Sequence, residues 1–290
     1  MITLFRFERA MTPLRFSVAC AALVAFAGCA KDASFVETNP PQASLHWVNA
    51  VPDTGALDMR PIDIVSNAGL FDAAFRGSNM FYQGIDAGTR RVRIFVSDSN
   101  PVITGVPILD TTFAVTADNG YTLVYTGFSR TGQAPAKAFM IIPDNPATPG
   151  AGQVGYRIVH AGVGMGNVDI SFLRRTADTL PDTPQIANVA YKAVGAYIVA
   201  GRDSVGADSI RIVVTAAGTK TPRLVNLKLP TGVIGDSTAN PIAGVRVAGS
   251  VVTAVIVPAS VVGSRAPQGG AFAAASAVFL VDHRPPNTVP

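Results

Sequence analysis

Three kinds of residue in this sequence could do chemistry. Histidines stand at His46, His160 and His283. A zinc site wants three or four N, O or S ligands that converge, often at close spacing. These three are far apart in the chain, so they read as structural or surface histidines. Gly162-x-Gly164-x-Gly166 has the look of a phosphate loop. The dinucleotide fingerprint needs a helix after it, whereas Asn167-Val-Asp-Ile-Ser-Phe172 reads as a strand, so the glycines read as an interstrand turn. Asp53, Asp58, Asp98, Asn100, Asp203 and Asp208 offer oxygens to calcium, with Asp58 and Asp169 the strongest pair. None has the spacing of an EF-hand loop, and Asp and Asn are expected in turns. Glu occurs only at Glu8 and Glu37, which weakens a paired-carboxylate glycosidase. The nucleophile pattern Gly-x-Ser-x-Gly is missing, although a triad that converges only in space leaves no sequence signature. Trp47, Phe81, Tyr82, Tyr191 and Tyr197 could floor a sugar-binding platform, but aromatics on strands read first as core. No catalytic residue, metal ligand or cofactor is assigned.

The N-terminus is more specific. Arg6, Arg9 and Arg15 precede an apolar run from Phe16 to Ala27. A basic stretch, a short apolar stretch and small residues describe a secretory signal, and the run is too short for the roughly 20 residues of a bilayer span. Met11 can serve as an alternative start. Phe26-Ala27-Gly28-Cys29 resembles the lipobox of bacterial lipoproteins, with Phe26 departing from the usual Leu. That resemblance implies cleavage after residue 28 and lipidation of Cys29. More than one acyl chain gives stable anchoring. Ala30 in place of Asp implies the outer membrane, facing the periplasm or the surface. Cys20 would leave with the signal at 1–28, and residues 29–42, rich in polar residues and Pro, read as a tether.

Removing Arg6, Glu8, Arg9 and Arg15 leaves 20 basic and 18 acidic residues, a net of +2. With no basic cluster, a nucleic-acid partner is not expected. Arg90, Arg91 and Arg93 form the densest basic group and read as a solvated strand face. Charged residues make up only 14% of the 290 and hydrophobic ones 48%, which excludes a charge-driven disordered chain.

Stepping along the chain, one unit recurs. Val48-Asn49-Ala50 aligns with Val159-His160-Ala161, and the same offset carries Asp58 onto Asp169. Phe75-Arg76 then aligns with Tyr191-Lys192, Phe81 with Tyr197, and Arg93-Ile94 with Arg211-Ile212. Offsets that grow slowly are what small loop insertions produce. The segment 146–153 is dense in Pro and Gly and reads as a linker. It separates a first domain at 43–145 from a second at 154–290. Arg91–Val96, Thr112–Thr116, Tyr121–Tyr125, Ser209–Thr215, Arg223–Leu229, Ser250–Val257 and Ala277–Asp282 read as strands. Asn119-Gly120 between two of them reads as a hairpin turn. Asn67–Phe75 fits a strand–turn–strand or one helical turn, and Ala266–Ala277 reads as a flexible loop. The expected fold class is all-β: two tandem antiparallel β-sandwich domains of immunoglobulin-like or transthyretin-like type.

Val48-Asn49-Ala50-Val51-Pro52-Asp53, Asp58, Asp86-Ala87-Gly88-Thr89 and Gly120-Tyr121-Thr122-Leu123-Val124 together resemble the DUF4397 domain. Val159-His160-Ala161 and Asp169 supply a second copy. It departs from the pattern at Gly162–Gly166 and at Gly206-Ala207-Asp208. The resemblance implies an exported, lipid-anchored β-sandwich protein and brings no catalytic residues. The expected role is a non-enzymatic structural or protein-interaction module of the cell envelope. The alternative is a module that binds a glycan or another envelope ligand through loops at a sandwich end or through the interdomain groove.

Overall fold

The computed structural model describes residues 40–64, 69–146, 148–203 and 209–289. The signal, Cys29 and all but the last residues of the tether lie outside the described residues, as do Gly206, Ala207 and Asp208. Residues 41–290 form one compact unit.

The first half contributes eight strands: β1 (Gln42–Asn49), β2 (Leu57–Pro61), β3 (Leu70–Ala73), β4 (Gln83–Asp86), β5 (Gly88–Val96), β6 (Pro107–Val115), β7 (Gly120–Thr126) and β8 (Ala138–Asp144). The second contributes β9 (Gln153–His160), β10 (Val168–Leu173), β11 (Ile186–Val189), β12 (Ile198–Gly201), β13 (Arg211–Ala216), β14 (Arg223–Lys228), β15 (Val251–Val257) and β16 (Ser276–His283). They form four four-stranded sheets, ordered β4-β1-β7-β8, β3-β2-β5-β6, β12-β9-β15-β16 and β11-β10-β13-β14. Adding eight to each strand number of the first half gives the order in the second. This is an all-β architecture consistent with duplicated sandwich-like units.

Two of the four sheets are mixed rather than wholly antiparallel. β1 runs parallel to β7, and β9 parallel to β15. The reason lies at Thr116–Asn119. Asn119-Gly120 is not a hairpin turn: it carries the chain from β6 in one sheet to β7 in the other. Asp118 takes φ 63° there, its N–H donates to the Gln42 carbonyl, and the Ser44 N–H donates to the Asn119 carbonyl. The crossing is thus docked on β1, and β7 continues beside it in the same direction. A parallel pair needs such a long crossover, here the chain from β2 through β6.

Side-chain alternation shows why the inner strands are apolar throughout. Leu45 and Trp47 of β1 and Tyr121, Leu123 and Tyr125 of β7 pack in the first half's core. Their neighbours Val48 and Val124 face the other way, into a cluster with Val159, Val255, Val257, Val278 and Leu280 of the second half. Ile158, Ala254 and Ile256 then face the second half's own core. All seven residues of β15 are buried, as expected for a strand covered on both faces. The outer strand β6 instead buries only Phe113 and Val115 while Thr112 and Ala114 stay exposed, the period of two of a half-covered sheet. Leu70–Ala73 is a strand, followed by a turn at Phe75-Arg76. Ala266–Ala277 holds a single 3-10 turn, Gly270–Phe272, before the last strand.

Candidate functional site

Where the inner sheets meet, charge is buried. Arg157 of β9 is only 2% exposed at its side chain. Its Nη2 lies 2.7 Å from Asp144 Oδ1 on β8 and 3.3 Å from Asp282 Oδ2 on β16. Its Nε donates to Thr253 Oγ1 at 2.8 Å, and its guanidinium lies 4.6 Å from the Tyr197 ring centroid. Asp144 Oδ2 accepts from the Tyr82 hydroxyl and from Thr122 Oγ1, both at 2.8 Å. Asp282 Oδ2 accepts from the Tyr197 hydroxyl at 2.7 Å and from Thr253. His46 completes the group. Its ring stacks on Tyr82 at 3.8 Å, and its nitrogens sit 3.1 and 3.2 Å from the carbonyls of Asn79 and Val281. Nε2 is 3.8 Å from Asp282 Oδ1, an oxygen with no hydrogen bond.

One arginine against two aspartates leaves a formal charge of −1 when the imidazole is neutral, so a single proton neutralises the cluster. Burial pushes the Asp282 carboxyl up to about 6, against the pull of Arg157. Burial also pushes the His46 imidazole down, and lifts the hydroxyls of Tyr82 and Tyr197 well above the usual phenol range, helped by the neighbouring carboxylates. A cavity of about 290 Å³ reaches Tyr82, Asp144 and Asp282. The groups hold each other, which makes the cluster a clasp between the halves rather than an acid–base pair.

The other sequence candidates serve the backbone. Asp58 Oδ1 accepts the Asp72 N–H at 2.8 Å, and Asp169 Oδ1 the Asn188 N–H at 2.7 Å. Asp72 and Asn188 share the left-handed conformation, φ 47° and 53°. Asn49 accepts the N–H two residues on and donates to the Ala73 carbonyl. His160 repeats this with Gly162 N–H and the Gly166 carbonyl. His283 Nδ1 lies 2.7 Å from the Gly249 carbonyl, so the three histidines do not converge. Asp98 accepts from Asn100 N–H, and Asn100 caps the helical turn Pro101–Thr104. Asp203 pairs with Arg174 at 2.7 Å. Among the described residues no group of three or more His, Cys, Asp and Glu could hold a metal ion. Gly162–Gly166 leads into β10, a strand. The aromatic residues form no platform: Trp47 is fully buried, and Tyr82 and Tyr197 belong to the clasp. Phe81, read as core, is instead 39% exposed, covered by the Arg284 guanidinium at 4.1 Å.

Loops of both halves build a groove of about 660 Å³, whose residues sequence reasoning did not name although it offered an interdomain groove as a binding place. Pro52 and Phe128 line it from the first half, with Met165, Leu224, Pro258 and Val261 from the second. Its loops are fixed by specific bonds. The Val261 N–H donates to the Pro52 carbonyl at 2.9 Å. The Arg76 guanidinium donates to the carbonyls of Pro258, Ala271 and Ala274. Gly127 takes φ 98°, and a Cβ there would lie 2.5 Å from the Ala136 carbonyl oxygen, so only glycine lets the chain turn beside Phe128. Loop-borne sites carry no periodic signal, which is why the pattern of apolar residues did not reveal this one.

Residues 43–171 match DUF4397, a domain of unknown function. A DUF4397 domain is present. The match begins in β1 and passes through the Pro/Gly segment to β10, so it includes β9, the strand that carries Arg157. No curated protein matches the chain. Among solved structures, the chain is similar to a family 41 carbohydrate-binding module from streptococcal virulence factors, described for α-glucan recognition, at 12% identity. That likeness covers 64% of this chain and 88% of that one, with a TM-score of 0.22. A putative adhesin from Bacteroides ovatus is 10% identical, covers 79% and 92%, and scores 0.22. A leucine-rich repeat protein from Bacteroides thetaiotaomicron is 11% identical over 65% of this chain but 24% of its own, scoring 0.17. At these scores the likenesses establish no shared site or ligand.

Proposed function

We propose that the protein is a non-catalytic module of the cell envelope that binds an envelope ligand, a glycan or another small molecule, in the groove between its halves. The observation that carries this reading is the groove itself. Its volume of about 660 Å³ falls within the roughly 300–1,000 Å³ of ligand sites, which are concave and mostly apolar. Loops from both halves build it, so the duplicated architecture has a use that one unit alone would lack. In this reading residues 43–145 and 154–290 are two DUF4397-like sandwiches of immunoglobulin-like or transthyretin-like type. The shared strand order and the matched Asp58 and Asp169 support the second copy. The signal at 1–28 exports the chain, and lipidated Cys29 anchors it, in the outer membrane, through the tether at 29–42.

A thermal-shift screen with cell-wall glycans and small envelope metabolites tests the binding role. A ligand should raise the midpoint of the wild type and not of Met165→Asp, which puts a charge in the groove. If ligands shift both alike, the groove is not the site. Cys29→Ala should abolish lipidation and membrane partitioning; a variant that still fractionates with membranes removes the anchor. A second reading, a protein-interaction module, is favoured by one observation. Val233, Ile234 and Ile242 are 56%, 63% and 55% exposed on one two-stranded bridge, Val233 with Ile242. Cross-linking through that bridge to an envelope protein, with no ligand in the groove, would support it.

A further inference from the structure

The apolar groove adjoins a polar hollow of about 310 Å³. The same loops build both. Pro52 lines the groove and Asp53 the hollow, Phe128 and Ser129 divide in the same way, and so do Val261 and Gly263. Arg130 and Arg265 stand in the hollow with Thr54, Ser129 and Ser264. Asp53 is already matched. Its oxygens accept the N–H groups of Ser129 and Arg130 at 2.8 and 3.0 Å, and Arg130 Nε lies 3.4 Å away. Arg265 makes no hydrogen bond or ion pair with the described residues. Two guanidiniums against one carboxylate leave the hollow at a formal +1. Lys137 Nζ, donating to the Ser129 carbonyl at 3.2 Å, adds positive charge behind it. Guanidinium groups take oxyanions through paired N–H donors, and the hydroxyls of Thr54, Ser129 and Ser264 can donate to the same group.

We propose that the hollow receives the acidic head of an amphipathic ligand whose apolar body lies in the groove: a carboxylate on an alkyl or similarly apolar chain. This rests on the reading of the groove as the binding site and names the class of ligand that fills it. The groove offers few side-chain donors to read the hydroxyls of a neutral sugar. Arg223, its one charged lining residue, is held by the carbonyls of Thr176 and Asp178.

Calorimetric titration of the full chain with octanoate, octanol and glucuronate tests the pairing of head and body. Octanoate should bind at least ~10-fold more tightly than octanol or glucuronate, and its affinity should fall as salt screens the arginines. Arg265→Gln and the double variant Arg130→Gln/Arg265→Gln should bring octanoate down to the level of octanol while leaving octanol unchanged. Arg265 is exposed and unbonded, so its variant should keep the wild-type melting midpoint. Met165→Asp should weaken both alkyl probes. If octanol binds as well as octanoate and the arginine variants change neither, the groove reading stands and the acidic head is wrong. Arginine-dependent glucuronate binding that matches octanoate would make the hollow a site by itself and overturn the apolar body. If no probe binds and no glycan does, both readings fall.

Discussion

His46 and Arg157 occupy the same place in the two halves. His46 on β1 lies opposite Thr122 on β7, and Arg157 on β9 opposite Thr253 on β15, both in parallel register. Around them the frame is alike: each threonine donates to the last aspartate of its own half, Asp144 or Asp282. Yet one position is a neutral ring and the other a guanidinium. Each reaches across the seam, His46 to the Val281 carbonyl and Arg157 to Asp144. Elsewhere the halves keep the same chemistry. Asp58 and Asp169 do one job, and Arg76 and Lys192 share φ 69°. Positions that bend the chain carry the same chemistry in both halves, because the backbone requires it. The position at the seam differs, because there each half contacts the other.

The largest effect should come from Arg157→Met. It leaves Asp144 and Asp282 buried without a cation, and breaking a buried pair costs about 3–5 kcal/mol. His46→Leu removes one hydrogen bond, since the neutral imidazole has a single N–H to offer the carbonyls of Asn79 and Val281, and should cost about 1–3 kcal/mol. Urea unfolding of both variants measures the gap. Equal losses would mean that charge is not what separates the two positions. Arg157→Met combined with Asp144→Asn and Asp282→Asn should recover much of the loss.

Next comes the proton. A carboxyl whose folded value is raised stabilises the fold below its unfolded value near 4, and that contribution disappears as pH rises through about 6. At about 1.4 kcal/mol per pH unit, Asp282 accounts for about 3 kcal/mol. His46 runs the other way: its contribution is present above its ordinary 6.5 and is lost as pH falls through the lowered folded value. The two overlap, so the wild type alone does not separate them. The unfolding free energy of the wild type minus that of Asp282→Asn should fall by about 2 kcal/mol between pH 4 and 7. A flat difference would show that Asp282 ionises as if exposed.

Asp58→Ala and Asp169→Ala test the side of the comparison on which the halves agree. Each leaves a backbone N–H without its carboxylate, worth about 2 kcal/mol, and the losses should agree within about 1 kcal/mol. Each carboxylate also holds a second partner, the Arg60 guanidinium on Asp58 and the Gly218 N–H, at 2.7 Å, on Asp169, so neither variant loses only one contact. A large disparity would undo the equivalence of the halves.

These aspartates were legible in the sequence because each opens the strand that follows a Gly-containing loop, at one offset in both halves. So was the all-β class, from runs such as Val251–Val257 bounded by turn residues. Strand direction was not legible. A period of two gives the face of a strand, and Asn119-Gly120 suits any turn that needs positive φ, whether it returns beside its own strand or crosses to another sheet. Nor was the clasp. Arg157, Asp144 and Asp282 meet only because two sheets stack, and an arginine inside an apolar strand looks the same whether it faces water or a partner. The groove residues come from four or more separate loops, where no spacing rule applies.

The smallest effect should come from an outward-facing ion pair, the counterpart of the clasp. Arg91 and Arg93 on β5 both hold Asp110 on β6, at 2.7 and 2.8 Å. The geometry rivals that of Arg157, and the two guanidiniums pull the Asp110 carboxyl below the usual carboxylate range. The setting differs: the Arg91 side chain is 49% exposed, so water solvates the separated charges nearly as well as they solvate each other. Asp110→Asn should leave the urea midpoint unchanged within error. The carboxyl carbon of Asp110 should then titrate by NMR only a little below the ordinary aspartate range, because linkage makes the depression of a folded carboxyl equal to the stability its pairing adds. A loss from Asp110→Asn as large as that from Arg157→Met would mean that burial is not what gives the seam its strength.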